Sequence, residues 1–324
     1  MTETLAKINV ASLFTTGTDA ATKAAQQQCS AQLLEALTST GFAIVQNTNV
    51  PPAVLADMRS AVKTVFDAPR TLYAKCQVQK TNYRGYVPLG YFTPNAGSNQ
   101  ADQYEAWKLH SETGNTAPNI WPPLGEHTAE QVRWAVLAYW AEMDCLNYAV
   151  MGALCDALGL NRAQVLDTLD KPLTNMTLLN YPPAAAHTSG AWGIHPHKDF
   201  NYLTFLAHDP VGGLEVRTRS GSWIDAACLE GEYVMNVGDM LELLSGGRLV
   251  STPHRVTNRS GTQRQSFPYF SVPRADVVVE PLLERLPGFT RQPLQSGAAS
   301  HDIWYSNWPD AEVKDKAIDL GSYV

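Results

Sequence analysis

Residues 193–206 read GIHPHKDFNYLTFL: His195, His197 and Asp199 fall within five positions, and an apolar, aromatic run follows at once. In an extended chain alternate side chains share a face, so His197 and Asp199 point one way and Lys198 the other. The stretch reads either as a polar turn ahead of a buried strand or as two ligands of a metal ion. An H-x-D pair alone does not decide between them in a chain with eight histidines.

A third ligand has to come from elsewhere. STPHRVTN, residues 251–258, offers His254 on a later predicted strand. Two neutral imidazoles and one carboxylate on one face of an ion leave its other positions open, the arrangement suited to non-haem Fe(II) enzymes that activate O2. Ten residues after His254, RQS places Arg264 and Ser266 on one face of the next strand. There a guanidinium fork and a hydroxyl can grip a single carboxylate. His195 competes with His197 for the metal, but only His197 completes the H-x-D pair, so His195 is expected to be a pocket or loop residue.

The surrounding texture sets the fold. After Pro172, short apolar and β-branched runs (LTNMTLLNY, YLTFLAH, GGLEVRT, SWIDA, YVMNVGDMLELLS, STPHRVTN, RQSFPYFSVP) alternate with Gly, Asp, Asn and Pro turns, the pattern of a sandwich or barrel. Before it, helical spacing near Ala20–Leu37, a short strand at FAIV and a Pro-initiated helix through AVLADMRSAVKTVF give helix, strand, helix. Thr128 with Gln131 suggests a capping box opening a long helix that Gly159 stops. Its expected buried stripe is Val132, Val136, Tyr139, Met143, Leu146, Val150 and Leu154. Residues 80–123, rich in Gly, Pro, Asn and aromatics, predict a long loop or short strands bordering a site. The expected class is mainly β with flanking helices (α+β). Residues 1–125 form an N-terminal helix and strand region packed on the barrel, and 126–324 a long helix plus the barrel, in one integrated catalytic unit.

A net charge of −7 without a basic block argues against nucleic acid as partner. Five scattered cysteines suit thiols in a reducing compartment. The first residues lack a secretion signal, and the most apolar long segment, near 132–158, is too polar for a membrane span. A cytoplasmic protein acting on a small molecule is expected, with a monomer favoured. No G-K-[ST] phosphate loop, H-E-x-x-H zinc motif or G-x-S-x-G elbow occurs.

HKD, PHRV and RQS, in this order and spacing, resemble the iron- and 2-oxoglutarate-dependent dioxygenases, in the branch similar to isopenicillin N synthase and the plant flavonoid and hormone oxygenases of secondary metabolism. NYRGY, NIWP, LLNYPP, GGLEV and NVGDMLELLSGGRLVSTPHRV extend the likeness over nearly the whole chain. The resemblance implies a double-stranded β-helix, or jelly roll, with Fe(II) held by His197, Asp199 and His254. It implies that Arg264 and Ser266 bind the distal carboxylate of 2-oxoglutarate and that Tyr181 helps hold this co-substrate. The implied reaction spends O2 on the keto acid and oxidises an unactivated C–H of a small, carboxylate-bearing metabolite by hydroxylation, desaturation or ring closure. Arg84, in the NYRGY region, is the implied partner of the substrate carboxylate, with Tyr83 and Tyr86 beside it. Two rivals stand: an Fe(II) oxidase that spends O2 without a keto acid and uses the R-x-S pair on its substrate, and a non-catalytic jelly-roll binding protein. The last residues, 301–324, are expected to fold over the mouth.

Overall fold

The computed structural model describes residues 4–93, 101–113, 117–183, 192–207, 210–258 and 260–308. In chain order the first elements are β1 (Lys7–Asn9), α1 (Ala20–Ser39), β2 (Phe42–Gln46), α2 (Pro52–Asp67), β3 (Gly85–Val87) and β4 (Glu105–His110). Then come α3 (Glu126–Leu158), α4 (Arg162–Asp167), β5 (Asn175–Tyr181), β6 (Ile194–His197), β7 (Leu203–Leu206), β8 (Leu214–Arg217), β9 (Trp223–Asp225) and β10 (Tyr233–Val237). The last are α5 (Asp239–Leu244), β11 (His254–Val256), β12 (Arg264–Ser266), β13 (Tyr269–Ser271), β14 (Val278–Val279), β15 (Leu294–Gln295) and α6 (Ser296–Ser306).

Two sheets face each other. The larger has nine strands in the order β1-β2-β10-β7-β13-β5-β4-β3, with β12 also on β5; the smaller runs β6-β11-β8-β9. Period-two alternation assigns each side chain of the large sheet to a layer. Phe42, Ile44, Leu179, Tyr181, Leu206 and Val234 turn inward and meet Leu214, Val216 and Val256 of the small sheet. Their neighbours Ala43, Val45, Met176, Leu178, Phe205 and Met235 turn outward onto Leu33, Met58, Val62 and Met143 of the helices. This is the jelly roll that the sequence leads one to expect, with the helices packed on its large sheet. β1 to β4 belong to that same sheet, so residues on both sides of position 125 build one core.

All seven residues of the expected stripe on α3 are buried, and Gly159 ends that helix at φ 69. Among the described residues no helix is long and apolar enough to cross a membrane. Two local expectations are corrected. Helix α3 begins at Glu126 behind Gly125, with no side-chain cap, so Thr128 lies inside the first turn and caps nothing. The carboxylate of Glu126 instead sits near the positive end of the helix dipole. YVMNVGDMLELLS is not one strand: it turns at Gly238 into α5, whose residues from Met240 to Leu244 are all buried. A short run that is buried on every side fits either period, and here the turn decides. Residues 80–123 hold two short strands, β3 and β4, rather than loop alone.

Candidate active site

His197 ends β6, Asp199 follows two residues later, and His254 opens β11, which pairs with β6 so that His254 lies opposite His197. One ligand atom from each lies within 4.8 Å of the others. Asp199 Oδ1 is 3.8 Å from His197 Nε2 and 3.7 Å from His254 Nε2. Both rings are fixed from behind: Nδ1 of His197 meets the His195 carbonyl at 2.8 Å, and Nδ1 of His254 meets the Thr252 carbonyl at 3.1 Å. A carbonyl can only accept, so each Nδ1 carries the proton and each Nε2 presents its lone pair to the centre. Burial and the neighbouring His197 push the His254 pKa down to about 4 against the pull of Asp199, which keeps that ring neutral.

Asp199 is divided by function. Its Oδ2 accepts hydrogen bonds from Thr204 Oγ1 at 2.6 Å and Asn236 Nδ2 at 2.7 Å, leaving Oδ1 for the histidines. Burial acts to raise its pKa, but His254, His197 and these two donors outweigh it and hold the carboxyl below its ordinary value. Two imidazoles with Nε2 turned to the centre and one ionised carboxylate, each oriented by a second partner, form a set that fits a divalent ion with open positions.

Arg264 is fully buried on β12. Its register partner across the ladder is Tyr181, and that of Ser266 is Leu179. Nε of Arg264 donates to the Gly212 carbonyl at 2.6 Å, Nη1 donates to Ser266 Oγ at 3.4 Å, and the guanidinium lies 4.7 Å from the centre of the Tyr181 ring. Its Nη2 is buried with no hydrogen-bond partner among the described residues. A buried guanidinium with an idle donor is costly unless an anion completes it, and a carboxylate matches the fork. The glycine pair of GGLEV makes this possible. Gly212 and Gly213 have φ of 78 and 88, and a Cβ on Gly213 would lie 1.9 Å from the Thr257 carbonyl oxygen.

Beside the three clustered side chains is a cavity of about 260 Å³, bounded by β4, β5, β6 and α6. Its wall includes His197, Asp199, Lys108, Thr177, Leu179 and Trp304. Tyr83 lines it too, stacked between Trp304 (5.4 Å, 9°) and Phe92 (5.8 Å, 22°) and accepting a hydrogen bond from Asn307 at 2.7 Å. The other two residues suggested for substrate lie elsewhere. Arg84 is buried, donates to the Asn82 carbonyl and side chain, and is not part of the cavity wall. Tyr86 faces the helices and donates to Glu105 at 2.7 Å, in a network with Arg70 and Asn180. Of residues 301–324, those up to 308 are described and reach the cavity through Trp304 and Asn307; the remainder, like His187 and His208, lie outside the described residues.

Sequence reading passed over four contributors. Thr204 and Asn236 hold Asp199, and Asp102 accepts from both the backbone and the ring of His195, at 2.9 and 2.6 Å, anchoring the start of β6. Lys108 is the lone lysine in the strand EAWKLH, on the face opposite Trp107 and Leu109, and Asn236 a lone amide in YVMNV. A polar residue at an inward position of such a strand was the available signal.

Comparison with known proteins agrees with this geometry. Residues 173–273 match the 2OG-Fe(II) oxygenase superfamily, and residues 8–124 match the N-terminal region described as non-haem dioxygenase in morphine synthesis. The chain is 30% identical over 269 residues to the homoarginine-6-hydroxylase 2-ODD-C23 of Glycine max, covering 78% of this chain and 79% of the relative. It is 29% identical over 248 residues to the 2-oxoglutarate-dependent dioxygenase thnC of Trichoderma harzianum, covering 74% and 76%. A full-length Neurospora crassa protein solved with α-ketoglutarate and thymine superposes with a TM-score of 0.81 at 21% identity, covering 94% of this chain and 97% of that one. A 2OG-Fe(II) oxygenase family protein of Caulobacter crescentus gives 0.78 at 25% identity, covering 93% and 98%.

Proposed function

Because the chain belongs to the Fe(II)- and 2-oxoglutarate-dependent oxygenases, which work with Fe(II), 2-oxoglutarate and O2, we propose that it oxidises a C–H bond of a small metabolite with iron held by His197, Asp199 and His254. The relatives named as 2-oxoglutarate-dependent dioxygenases support this reading over the two rivals, the oxidase without a keto acid and the binding protein. One observation carries the assignment of residues: three ligand atoms within 4.8 Å of one another beside a buried guanidinium whose Nη2 has no partner.

Iron loaded with 2-oxoglutarate and O2 supplies the oxidising power for the C–H bond. The chain supplies the rest. His197 and His254 keep their protons on Nδ1, so the lone pairs of both Nε2 atoms stay aimed at one point. Thr204 and Asn236 prevent Asp199 from rotating away. Arg264 and Ser266 receive the distal carboxylate of 2-oxoglutarate, with Tyr181 packed against the guanidinium. Leu179 is shared: it lines the cavity and pairs with Ser266, so the co-substrate subsite adjoins the space left for substrate. The substrate undergoes hydroxylation, desaturation or ring closure in that space.

The test is an anaerobic visible-absorbance titration of the apo protein with Fe(II) and then 2-oxoglutarate. A weak charge-transfer band that forms in the wild type, and needs much more 2-oxoglutarate in Arg264→Ala, is the expected result. Iron binding with an unchanged 2-oxoglutarate requirement in that variant would remove Arg264 from the co-substrate subsite.

A further inference from the structure

Strand β4 carries one ammonium into the cavity. Its residues alternate, with Trp107 and Leu109 packed toward the helices and Ala106 toward the small sheet. Lys108 takes the inward side, directly across the ladder from Thr177, and both line the cavity with His197 and Asp199. Its surroundings do not neutralise it. Nζ donates one long hydrogen bond, 3.4 Å, to Thr177 Oγ1 and lies 4.7 Å from the centre of the Tyr83 ring; among the described residues no carboxylate comes within ion-pair distance.

Two buried carboxylates, by contrast, are each met by a cation. Glu105 is held by Arg70, and Glu242 by Arg291. Lys198 is the other lysine on the cavity wall. An ammonium has three donors and strong hydration to replace, so its place in a wall of Tyr83, Leu179 and Trp304 carries a penalty that a bound anion would relieve. Burial lowers its pKa to about 8, the consequence of that missing partner.

Resting on the oxygenase reading above, we infer that Lys108, assisted by Thr177, binds the carboxylate of the substrate, so that the enzyme selects small organic monoacids over their neutral or cationic counterparts. A single ammonium with a single hydroxyl matches one negative charge, and a cavity of about 260 Å³ leaves room for a small molecule only. Lys108 is thus a specificity residue, and the carboxylate is met on β4 instead of at Arg84, which does not reach the cavity.

The experiment measures succinate release by the iron-loaded enzyme with benzoate, phenylacetate, hexanoate and N-acetyl amino acids, each beside its primary amide. The expected result is stimulation by acids and not by the matched amides. In Lys108→Met the KM for the stimulating acid rises at least about 10-fold. The 2-oxoglutarate titration of the same variant stays as in the wild type. Lys108→Arg, which keeps the charge, restores the preference for acids. Stimulation by amides alone, stimulation by no acid, or an unchanged KM in Lys108→Met each overturns the inference. A shifted 2-oxoglutarate titration in Lys108→Met also overturns it, by moving the lysine to the co-substrate. Failure of the oxygenase reading looks different: wild-type protein would then form no 2-oxoglutarate band at all.

Discussion

At the scale of single residues, the metal centre depends on side chains of two ranks. Asp199→Ala should abolish iron-dependent succinate release while far-UV circular dichroism remains that of the folded protein; retained turnover would remove Asp199 from the centre. Thr204→Val removes one of the two donors to Asp199 Oδ2 without touching a ligand atom. Losses of about 10- to 100-fold in metal affinity are typical for such partners, and titration with redox-silent Co(II) would measure this one. His197, Asp199 and His254 were legible in the sequence because ligand chemistry is written in residue type and short spacing. Thr204, Asn236 and Asp102 were not. Their role exists only after β7 and β10 pair in register and the segment before β4 reaches β6, and no local pattern encodes those meetings.

At the scale of elements, alternation in β4, β5 and β12 decides which residues reach the interior, and the turns decide whether they can. Gly213 is the sharpest case. Alanine there must bear a φ of 88 and a Cβ overlapping the Thr257 carbonyl, in the turn whose Gly212 carbonyl receives Arg264. Gly213→Ala should cost about 1–3 kcal/mol of stability, seen in urea unfolding, and should raise the 2-oxoglutarate requirement as well. Loss of stability with unaltered 2-oxoglutarate binding would uncouple the turn from the arginine. The strand run after Pro172 was readable from turn punctuation, and the α3 stripe from its period. The errors fell where a pattern fits two structures, as in MLELL, which is buried throughout, or where a capping sequence lies inside a helix that starts earlier. Tyr83, Arg84 and Tyr86 show a similar limit: neighbours in sequence, they are distributed to the cavity, to Asn82 and to Glu105 by the path of the backbone.

Across the whole molecule, two apolar layers carry the fold, and the ammonium of Lys108 sits at the cavity between them without a carboxylate partner among the described residues. Lys108 has a native pKa of about 8 against an ordinary 10.5, so between these values the unfolded chain binds more protons than the native one. Its penalty is therefore full below pH 8 and relieved as pH rises toward 10.5. Lys108→Met should stabilise the protein at pH 7 by about 1 kcal/mol, or about 2 °C in Tm, and this gain should shrink in alkaline buffer. A variant less stable than wild type at pH 7 would contradict the burial penalty. Catalysis has the opposite slope: the KM for an acid substrate should climb as pH passes about 8 and the ammonium is lost. Tyr83 and Tyr104, whose pKa values burial raises, keep their protons through that range.

The clamp formed by Trp304 and Asn307 on Tyr83 has a consequence for how such an enzyme diversifies. Both histidines proposed to hold iron ride on the small sheet, whereas α6 contributes to the cavity wall more than forty positions later in the chain. The proposed metal ligands and this part of the cavity wall thus lie on separable stretches of the gene. Recombination or drift in the segment encoding α6 can redirect the catalyst to a new molecule without disturbing the atoms that hold its metal.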